Sequence, residues 1–452
     1  MCASVGMKGG RMKTNFDISL EWFPYTAGNE RDHAFSAFIG ISAGNVCLTQ
    51  VEDLNAKTIR DRIYVCAGQL AGWFAANWWR LRWESFPKSG PLDVSRALSH
   101  CMASAGGGFV WPDIVFDSDG DSVGVAVPRK TKPTSYALVD YLSDTDDERI
   151  FIPGNVFERT IDGFLDAVIC RGDLMNVSDR SLAELWREVL DERHDPEASR
   201  YRKWEAIAGY DPDEAPKALL GCILAASARY GQQASEEVVA QARHESVETF
   251  NALPGVSRES GVRVTMPPLP KGIARGGSAD EQPWQKAERF ARSARRMLGF
   301  DASAPVSGKQ LADLAGASDK AIFGDQVVAS PIPFLLRDEG KSEGRLIIPG
   351  KYVTSRRFAV TRLIGDQLYA RDRELLRPAT GAQTVRQKFQ RAFATEFLCP
   401  FDALQDKLGT ETPGDDDIMD AAEHFGVSPL LVRTVLVNKG VLECSQLSQQ
   451  AG

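Results

Sequence analysis

The sequence predicts an α+β protein with more than one domain, and three patterns along the chain support this prediction. Apolar and polar residues alternate with a period of two over parts of residues 16–54, which is typical of half-buried strands. Residues 150–250 show the period of amphipathic helices. Residues 345–349 form an apolar, strand-like run directly before a helical stretch at residues 354–369. The chain therefore combines strands and helices in both of its halves.

Length, charge and cysteine usage restrict the class of protein. A chain of 452 residues implies about two to four domains. The net charge of -8 disfavours broad electrostatic attraction to nucleic acid but permits a local basic patch. The 8 cysteines are scattered without a C-x-x-C pair, which indicates free thiols in a reducing cytoplasm. No apolar run is long enough to span a membrane, and residues 1–14, predicted to be a tail, lack the apolar core of a signal peptide.

Residues 15–140 are predicted to form a mixed α/β domain of unknown role. Two hairpin turns are expected in it, at Gly44-Asn45 and within the acidic stretch at residues 117–121. That acidic stretch lacks the distal glutamate of a calcium-binding EF-hand loop, so a turn at Asp119-Gly120 is the better interpretation. A short helix is also expected at about residues 94–103.

A long helix, predicted at residues 67–82, carries tryptophans beside arginines. Trp78, Trp79, Arg80 and Arg82 stand together in it. Aromatic rings interleaved with arginines can stack on nucleic-acid bases. The alternative is a helix whose tryptophans lie in the core or at an interface, with the arginines in solvent. The second interpretation is the more ordinary one, and the first makes these four residues candidate binding residues.

The middle of the chain is predicted to be a helical region at residues 141–252 and then a linker at residues 253–282. The linker prediction depends on composition, because this stretch is rich in Gly, Pro and Ser. A basic amphipathic helix follows from Trp284. Its arginines, among them Arg292, Arg295 and Arg296, are expected to face outward, either as a solvated surface or as a binding site.

Two predicted helices at residues 354–369 and 385–398 carry the most informative motifs. The first contains Arg357-Phe358, and Val360, Ile364 and Leu368 form its apolar stripe. The second leads into the run F-A-T-E-F-L-C-P, which ends at Pro400. In these motifs the chain resembles the ImmA/IrrE family of zinc peptidases. The family pattern is R-F-x-x-A-H-E-x-x-H on one helix and E-x-x-A-N-x-F-A-x-E-L-L-x-P on the other.

The resemblance covers about residues 283–442, and it implies a zincin-type domain at residues 283–412. The zinc chemistry of the family is missing from it. Alignment on Arg357-Phe358 puts Arg362 at the first zinc histidine, Leu363 at the catalytic glutamate and Asp366 at the second histidine. The glutamate ligand of the second helix falls near Gln387. An arginine cannot bind a metal, and a leucine cannot act as a general base. We therefore expect neither a metal nor a cofactor.

Two structural expectations follow for the lost metal site. Arg362 and Asp366 are neighbours at i and i+4 with opposite charges, so they should pair with each other, or with polar groups of the second helix such as Gln387 or Gln390. The helix frame is kept, so the former substrate cleft should survive as a groove that binds a peptide or strand edge.

Residues 413–443 resemble a helix-turn-helix, with the pattern A-x-x-F-G-V-S-x-x-x-V, and residues 444–452 are a predicted tail. In the family such a pair of helices packs against the peptidase core. Arg433 and Lys439 are the cations that the second helix offers to DNA, fewer than a base-reading helix usually carries. Packing is therefore favoured over DNA recognition.

These observations predict a non-catalytic regulatory or partner-binding protein on an inactive peptidase scaffold. The family acts on helix-turn-helix repressors, in stress responses and in mobile-element defence, so the resemblance implies control of mobile elements, stress response or phage defence. The predicted partner is a protein, in the cytoplasm, with no membrane. One alternative is a DNA-binding transcriptional regulator. The other is an enzyme with its active site in residues 15–250, where Glu21 and Asp113 are conceivable carboxylates. The sequence does not indicate an oligomeric state.

Overall fold

A computed structural model describes residues 15–23, 30–86, 94–127, 139–143, 145, 149–177, 180–266, 281–341, 343–370, 374–409 and 412–443. The tails predicted at residues 1–14 and 444–452 lie outside these residues. The chain divides into two compact units, an N-terminal unit of Met1–Ala215 and a C-terminal unit of Pro216–Gly452. The predicted α+β class is confirmed, because helices combine with several small antiparallel sheets.

Short strands and longer helices make up the N-terminal unit. Its strands are β1 Phe16–Trp22, β2 Ser36–Ala43, β3 Val46–Cys47, β4 Val51–Asp53, β5 Thr58–Arg60, β6 Ile63–Cys66, β7 Val115–Ser118, β8 Ser122–Ala126, β9 Val139–Tyr141 and β10 Ile150–Pro153. Its helices are α1 Glu30–Phe35, α2 Ala67–Trp83, α3 Val94–His100, α4 Gly154–Leu174, α5 Arg180–His194 and α6 Pro196–Ala208, with a 3-10 turn at Met102–Ala105.

The strands of this unit form three antiparallel sheets. The first has the order β1–β2–β3, with β6 also paired to β2, and the others have the orders β10–β8–β7 and β5–β4–β9. Both predicted hairpin turns are confirmed, because β2 and β3 meet at Gly44-Asn45 and β7 and β8 meet around Gly120. Gly44 and Gly120 have φ angles of 58° and 94°, which glycine adopts most readily.

Helix α2 is the centre of the N-terminal core. It contacts α3, α4, α5 and α6 as well as strands of two sheets. Phe74 on this helix packs against Phe116 and Phe164, with ring centroids 5.9 Å and 6.0 Å away. Because α2 is surrounded, its polar side chains must find partners inside the protein.

The helical region predicted at residues 141–252 does not form one body. Helices α4 to α6 belong to the N-terminal unit, while the helices after residue 215 belong to the C-terminal unit. The apolar faces explain the division, because Phe157 and Phe164 of α4 and Trp186 of α5 are part of the N-terminal core. Helical periodicity reports that a helix has an apolar face, but it does not report which core receives that face.

The C-terminal unit consists of helices and one four-stranded sheet. Its helices are α7 Lys217–Tyr230, α8 Gln232–Ala242, α9 Ser246–Ser260, α10 Pro283–Met297, α11 Gly308–Leu314, α12 Asp319–Phe323, α13 Val353–Tyr369, α14 Val385–Leu398, α15 Phe401–Leu408, α16 Asp415–Phe425 and α17 Pro429–Asn438, with a 3-10 turn at Arg243–Glu245. Its strands are β11 Val262–Thr265, β12 Phe334–Arg337, β13 Glu343–Ile347 and β14 Leu376–Pro378, in the antiparallel order β11–β13–β12–β14.

The linker predicted at residues 253–282 is wrong over its first part. Helix α9 continues through Pro254 to Ser260, and β11 pairs with β13, with Val262 opposite Leu346. Val264 of this strand is buried in the core. A pairing between segments far apart in sequence fixes this stretch, and composition alone does not report such a pairing. Residues 267–280 lie outside the described residues.

Helices α13 and α14 cross closely at a glycine. Gly365 of α13 faces the ring of Phe393 on α14, and a Cβ at position 365 would lie 2.7 Å from Cε1 and Cγ of that ring. Phe290 of α10 packs on two aromatic residues of α14, with its ring centroid 5.9 Å from that of Phe389 and 5.8 Å from that of Phe393. The absence of a side chain at Gly365 therefore permits the crossing that brings polar residues of the two helices together.

Among the helices that the structure describes, none has the length and apolar character needed to cross a bilayer.

Gly365→Ala is expected to destabilise the C-terminal unit by about 1–3 kcal/mol, because the added methyl group overlaps the Phe393 ring. Gly221→Ala on α7 is a matched control, since a Cβ there meets no atom within 4 Å. It should raise stability by about 0.5–1 kcal/mol through helix propensity. Urea unfolding of both variants measures the difference. Similar stabilities for the two variants would contradict the close crossing.

Candidate functional site

The three positions that align with zinc ligands of the family pattern lie together in the C-terminal unit. Arg362 and Asp366 are on α13 and Gln387 is on α14, and all three are buried. Nη2 of Arg362 donates to Oε1 of Gln387 at 2.5 Å and to the carbonyl oxygen of Thr380 at 2.6 Å. Leu363, at the position of the catalytic glutamate, is fully buried in the apolar core. A guanidinium group therefore occupies the position that aligns with the first zinc histidine of the family pattern.

Asp366 is held by arginines from two other elements. Arg386 of α14 donates from Nε and Nη2 to the two carboxylate oxygens, at 2.8 Å and 2.7 Å. Arg377 of β14 donates from Nη1 to Oδ2 at 3.3 Å. A two-pronged contact from a planar guanidinium is the strongest form of this ion pair. The carboxylate that could have bound a metal is therefore already neutralised.

Arg362 and Asp366 do not pair with each other but with polar groups of the second helix, which is the second of the two predicted arrangements. Within the described residues, Arg362 bonds to Gln387 and Asp366 bonds to Arg386, so each side chain binds α14 rather than its neighbour on α13. Both polar atoms of Gln387 are fixed, because Oε1 also accepts from Thr380 N at 2.8 Å and Nε2 donates to the Pro378 carbonyl oxygen at 3.2 Å.

An outer layer of acidic residues completes this buried polar network. Arg386 donates from Nη1 to Glu374 at 2.9 Å, and the other oxygen of Glu374 accepts from the backbone N of Ala234 on α8 at 3.0 Å. Thr384, the N-cap of α14, donates to Glu237 of α8 at 2.6 Å. Helix α8 therefore borders this network at Glu374 and at the N-terminus of α14.

Burial and neighbouring charges shift the ionisation of the network. Burial lowers the pKa of Arg362 to about 9, and the nearby guanidinium of Arg391 contributes. Burial alone would raise the pKa of Asp366, but Arg386 and Arg377 hold it well below its ordinary value. Burial raises the pKa of Glu237 to about 7, although Arg386 and hydrogen bonds oppose this. At neutral pH the network therefore contains a cationic Arg362 and an anionic Asp366.

This donor set does not fit zinc. A zinc site needs neutral imidazoles, thiolates or carboxylates that converge on one point. The aligned positions offer instead a guanidinium, a carboxylate bound by two arginines and an amide oxygen that already accepts two hydrogen bonds. Among the residues that the structure describes, no three or more His, Cys, Asp or Glu side chains gather in a way that could hold a metal ion. The chemistry of this arrangement is charge pairing that fixes elements relative to each other.

The prediction that the former cleft survives as a groove is wrong at its centre. Arg362, Asp366 and Gln387 are 8%, 5% and 0% exposed. Their polar atoms are turned to α14, β14 and the β14–α14 loop, and Glu237 of α8 lies at the outer side of the same network. A peptide cannot reach side chains that are buried in this way. Sequence reasoning could not foresee the closure, because the residues of α8 that cause it lie more than a hundred positions upstream of α13.

The tryptophans and arginines of α2 are also inside the protein. Trp78 and Trp79 are each 3% exposed, and Arg80 and Arg82 are 2% and 7% exposed. Trp79 Nε1 donates to Glu192 of α5 at 2.9 Å. The rings therefore present no free face to a nucleic-acid base. The structure supports the core interpretation for the tryptophans, and it corrects the expectation that the two arginines face solvent.

Carboxylates explain why these arginines are buried. Arg80 donates from Nε to Glu84 at 2.6 Å and from Nη1 to Asp211 at 3.2 Å. Arg82 donates from Nε to Glu158 of α4 at 2.6 Å. Glu84 stands four residues after Arg80, so this pair could have been inferred from the sequence. Asp211 and Glu158 could not, because only the tertiary fold brings them to α2.

A second polar centre, which the sequence did not indicate, surrounds Glu84. This carboxylate is fully buried and accepts from Arg96 Nε at 3.2 Å as well as from Arg80. His100 Nε2 lies 3.0 Å from Glu84 Oε2, and His100 Nδ1 lies 2.9 Å from the carbonyl oxygen of Phe116. Burial lowers the pKa of His100 to about 3. The centre ties α2, α3 and β7 together through these buried side chains.

The basic helix α10 is only partly a basic surface. Arg295 is buried and donates to the carbonyl oxygens of Phe397 and Ala304 at 2.5 Å and 2.6 Å, so the prediction that it faces solvent is wrong. Arg292 is half exposed and donates to Glu396 at 2.7 Å. Arg296 is exposed, as predicted. Packing against α14 decides these positions, because α10 presents more than one face to the core.

The helix pair α16–α17 packs onto the core, as the sequence favoured. Phe425, Val432 and Leu436 are buried members of the C-terminal core. Arg433 donates to Asp415 at 2.7 Å, and Lys439 donates to Glu288 of α10 at 2.8 Å. Both candidate DNA-reading cations are therefore paired with acidic side chains of this unit.

Arg357, which begins the Arg357-Phe358 motif, has a structural role that periodicity did not reveal. Arg357 Nε donates to the carbonyl oxygen of Gly426 at 2.9 Å, and its Nη2 donates to the carbonyl oxygen of Val306 at 2.5 Å. Gly426 is the turn residue between α16 and α17, with a φ angle of 63°. Arg357 therefore joins α13 to the helix-turn-helix-like pair.

No family model, no curated protein and no solved structure matches this chain. The resemblance to the ImmA/IrrE family therefore depends on the motifs at residues 357–400, the order of the elements and the terminal helix pair.

Asp366→Asn is expected to destabilise the C-terminal unit by about 3–5 kcal/mol at neutral pH, because it removes the charged carboxylate that Arg377 and Arg386 share. The wild-type contribution of Asp366 is present above the unfolded-state pKa and is lost as the pH falls through the lowered folded-state pKa. Chemical unfolding measures the loss. Asp420→Asn, which removes an exposed partner of Lys407, is the control and should have little effect.

Glu237→Gln tests the contact with α8. A carboxyl group whose pKa is higher in the folded than in the unfolded protein stabilises the fold at pH values below its unfolded-state pKa. This stabilisation is lost as the pH rises through the folded-state pKa. The interval from 4.5 to about 7 corresponds to about 3 kcal/mol. Wild-type stability should therefore fall between these pH values more steeply than that of Glu237→Gln. Parallel stability curves for the two proteins would argue against a buried Glu237.

Proposed function

We propose that this chain is a non-catalytic, partner-binding or regulatory protein whose C-terminal unit is a degenerate ImmA/IrrE-type, zincin-like scaffold. The observation that carries the proposal is the 2.5 Å contact between Arg362 and Gln387 at two aligned ligand positions. A cation fixed there by the protein replaces the charge that a metal would bring, and no general base accompanies it. Binding is then the function that remains for the scaffold.

The order of the elements supports the scaffold part of the proposal. Strand β13 leads into α13, which carries Arg357-Phe358, and α14 ends immediately before Cys399-Pro400. The helix pair α16–α17 follows and packs on the same core. This is the order in which the motifs of the family pattern occur. A chance match of two short motifs would not require the aligned ligand positions to meet in space.

The partner is proposed to be a protein, in the cytoplasm. Proteins of the resembled family act on helix-turn-helix repressors, in stress responses and in mobile-element defence, and a member without peptidase chemistry can still hold such a protein. The cysteines among the described residues, including the buried Cys66 and Cys399, are free thiols, which suits a reducing compartment.

A DNA-binding regulator is the second candidate, because α16 and α17 have the length and glycine turn of a helix-turn-helix. The pairing of Arg433 and Lys439 with acidic residues weighs against it. An enzyme in the N-terminal unit has less support. Glu21 forms an ion pair with Arg62 on the sheet surface, and Asp113 lies exposed before β7.

The purified chain is expected to contain no stoichiometric zinc and to cleave neither casein nor a helix-turn-helix repressor, because the donor set and the base are missing. Elemental analysis and gel electrophoresis after incubation with added zinc measure this. Near-stoichiometric zinc that is lost on Asp366→Asn or Gln387→Ala, while the fold is retained, would refute the proposal.

Duplex DNA distinguishes the second candidate. A mobility-shift titration at about 50 and about 200 mM salt should show at most weak binding, whereas phosphate contacts would lower log affinity by about 0.9 per log unit of salt for each contact. Tight, salt-sensitive binding that is abolished by neutralising Arg433 and Lys439 would establish the DNA-binding alternative.

A further inference from the structure

Two large apolar side chains stand in solvent on the helix pair α16–α17. Met419 of α16 is 61% exposed and Leu430 of α17 is 59% exposed. Other faces of the same helices, at Ile418 and Val432, are buried in the core. Each helix therefore has one apolar face that the fold uses and one apolar residue that it leaves uncovered.

An ion pair shows that the two exposed residues share a surface. Asp415 of α16 and Arg433 of α17 are 2.7 Å apart. Met419 lies one turn from Asp415 and Leu430 lies about one turn from Arg433, in both cases on the same helix face and toward the turn that joins the helices. Met419 and Leu430 therefore lie on the same side of the helix pair, next to this ion pair.

Acidic residues surround the exposed methionine. On α16 they occupy the positions i−4, i−3, i+1 and i+4 relative to Met419, namely Asp415, Asp416, Asp420 and Glu423. Arg433 neutralises Asp415, and Lys407 lies 2.8 Å from Asp420. In the part of the chain that the structure describes, Asp416 and Glu423 form no ion pair with a cation. Met419 and Leu430 thus form an apolar centre beside the carboxylates of Asp416 and Glu423. We call these four residues the acidic docking surface.

We propose that the acidic docking surface binds a basic amphipathic segment of a protein partner, in which apolar side chains alternate with lysine or arginine along one face. The proposal rests on the proposed partner-binding function and identifies the kind of partner. Exposed apolar residues with a polar rim mark interaction sites, and charge complementarity selects the partner and its orientation. Apolar side chains of the segment would cover Met419 and Leu430, and its cations would reach Asp416 and Glu423.

The same charges disfavour nucleic acid as the occupant. Phosphate groups would approach unpaired carboxylates, and the cations of this surface are already bound to acids. A basic protein segment instead gains both from burial of the apolar pair and from the carboxylates of the rim. The surface is therefore negatively charged, whereas a helix pair that reads DNA needs positive charge.

The test uses the full chain and a synthetic, dye-labelled helix of about 18 residues, with leucine on one face and lysine on the other. Fluorescence anisotropy measures its affinity for the wild type and for two surface variants, Met419→Ser/Leu430→Ser and Asp416→Lys/Glu423→Lys. Both variants are expected to bind at least about tenfold more weakly. All four positions are exposed, so thermal unfolding should confirm that the variants keep the wild-type fold.

A matched variant separates this surface from general attraction to an acidic protein. Glu339→Lys/Glu343→Lys makes the same change in charge at exposed positions around the β12–β13 turn, and it should change the affinity less than about twofold. A photo-crosslinking residue at position 419 should capture the peptide, whereas the same residue at exposed Val327 should not.

The inference is overturned if the wild type does not bind the basic helix, if both charge variants weaken binding equally, or if the serine variant binds like the wild type. Competition by duplex DNA for the same surface would also overturn it. These outcomes are separate from those that test the proposed function. Stoichiometric zinc or cleavage of a protein substrate would refute the inactive scaffold. Failure of the zinc-free wild type to bind the basic helix would refute only the acidic docking surface.

Discussion

The structure of the C-terminal unit depends on the need to pair charges that have been taken out of water. Placing an arginine and an aspartate on the buried face of α13 costs several kcal/mol for each ion unless partners compensate it. Gln387 and Arg386 of α14 provide this compensation, and Arg377 brings β14 to the same point. Removing one side chain of the network leaves the charge of its partner less well compensated. The network therefore fixes the crossing of α13 and α14 and the position of β14 at once.

That constraint also separates this site from a peptidase site. Catalysis by a metal needs an open coordination position and a base that is free to accept a proton. Here hydrogen bonds occupy Asp366 and Gln387, and Glu237 of α8 approaches from the outside. The polar residues of this network are paired with each other and hold α13, α14 and β14 together. Because these side chains are buried, any interaction with a partner must use other surfaces of the chain.

Sequence predicted the elements best where apolar periodicity is strong and local. The helix expected at residues 354–369 is α13, Val353–Tyr369, and the one expected at 385–398 is α14, Val385–Leu398. Strand β11 and the second half of α9 were missed, since pairing with β13 outweighs the local Pro and Gly signals. In the site, alignment placed Arg362 near Gln387, but the roles of Arg386 and Glu237 arise only from tertiary packing. Charge type and helical spacing do not report which charges will be buried.

Three other buried arginines, Arg295, Arg356 and Arg357, form no hydrogen bond to a carboxylate and instead bind carbonyl oxygens at the ends of helices. Arg356 donates to the carbonyl oxygens of Ile322 and Gly324 at the end of α12. In the same way, Arg357 serves the end of α16 and Arg295 serves the end of α14. The last carbonyls of a helix have no partner within it and carry partial negative charge, so a cation satisfies both needs. Burial lowers the pKa of all three guanidiniums, and nearby carboxylates, Asp301, Asp325 and Asp319 respectively, oppose this shift. An arginine on an amphipathic helix usually indicates a solvated face. At Arg295, Arg356 and Arg357 it instead marks the place where another helix ends.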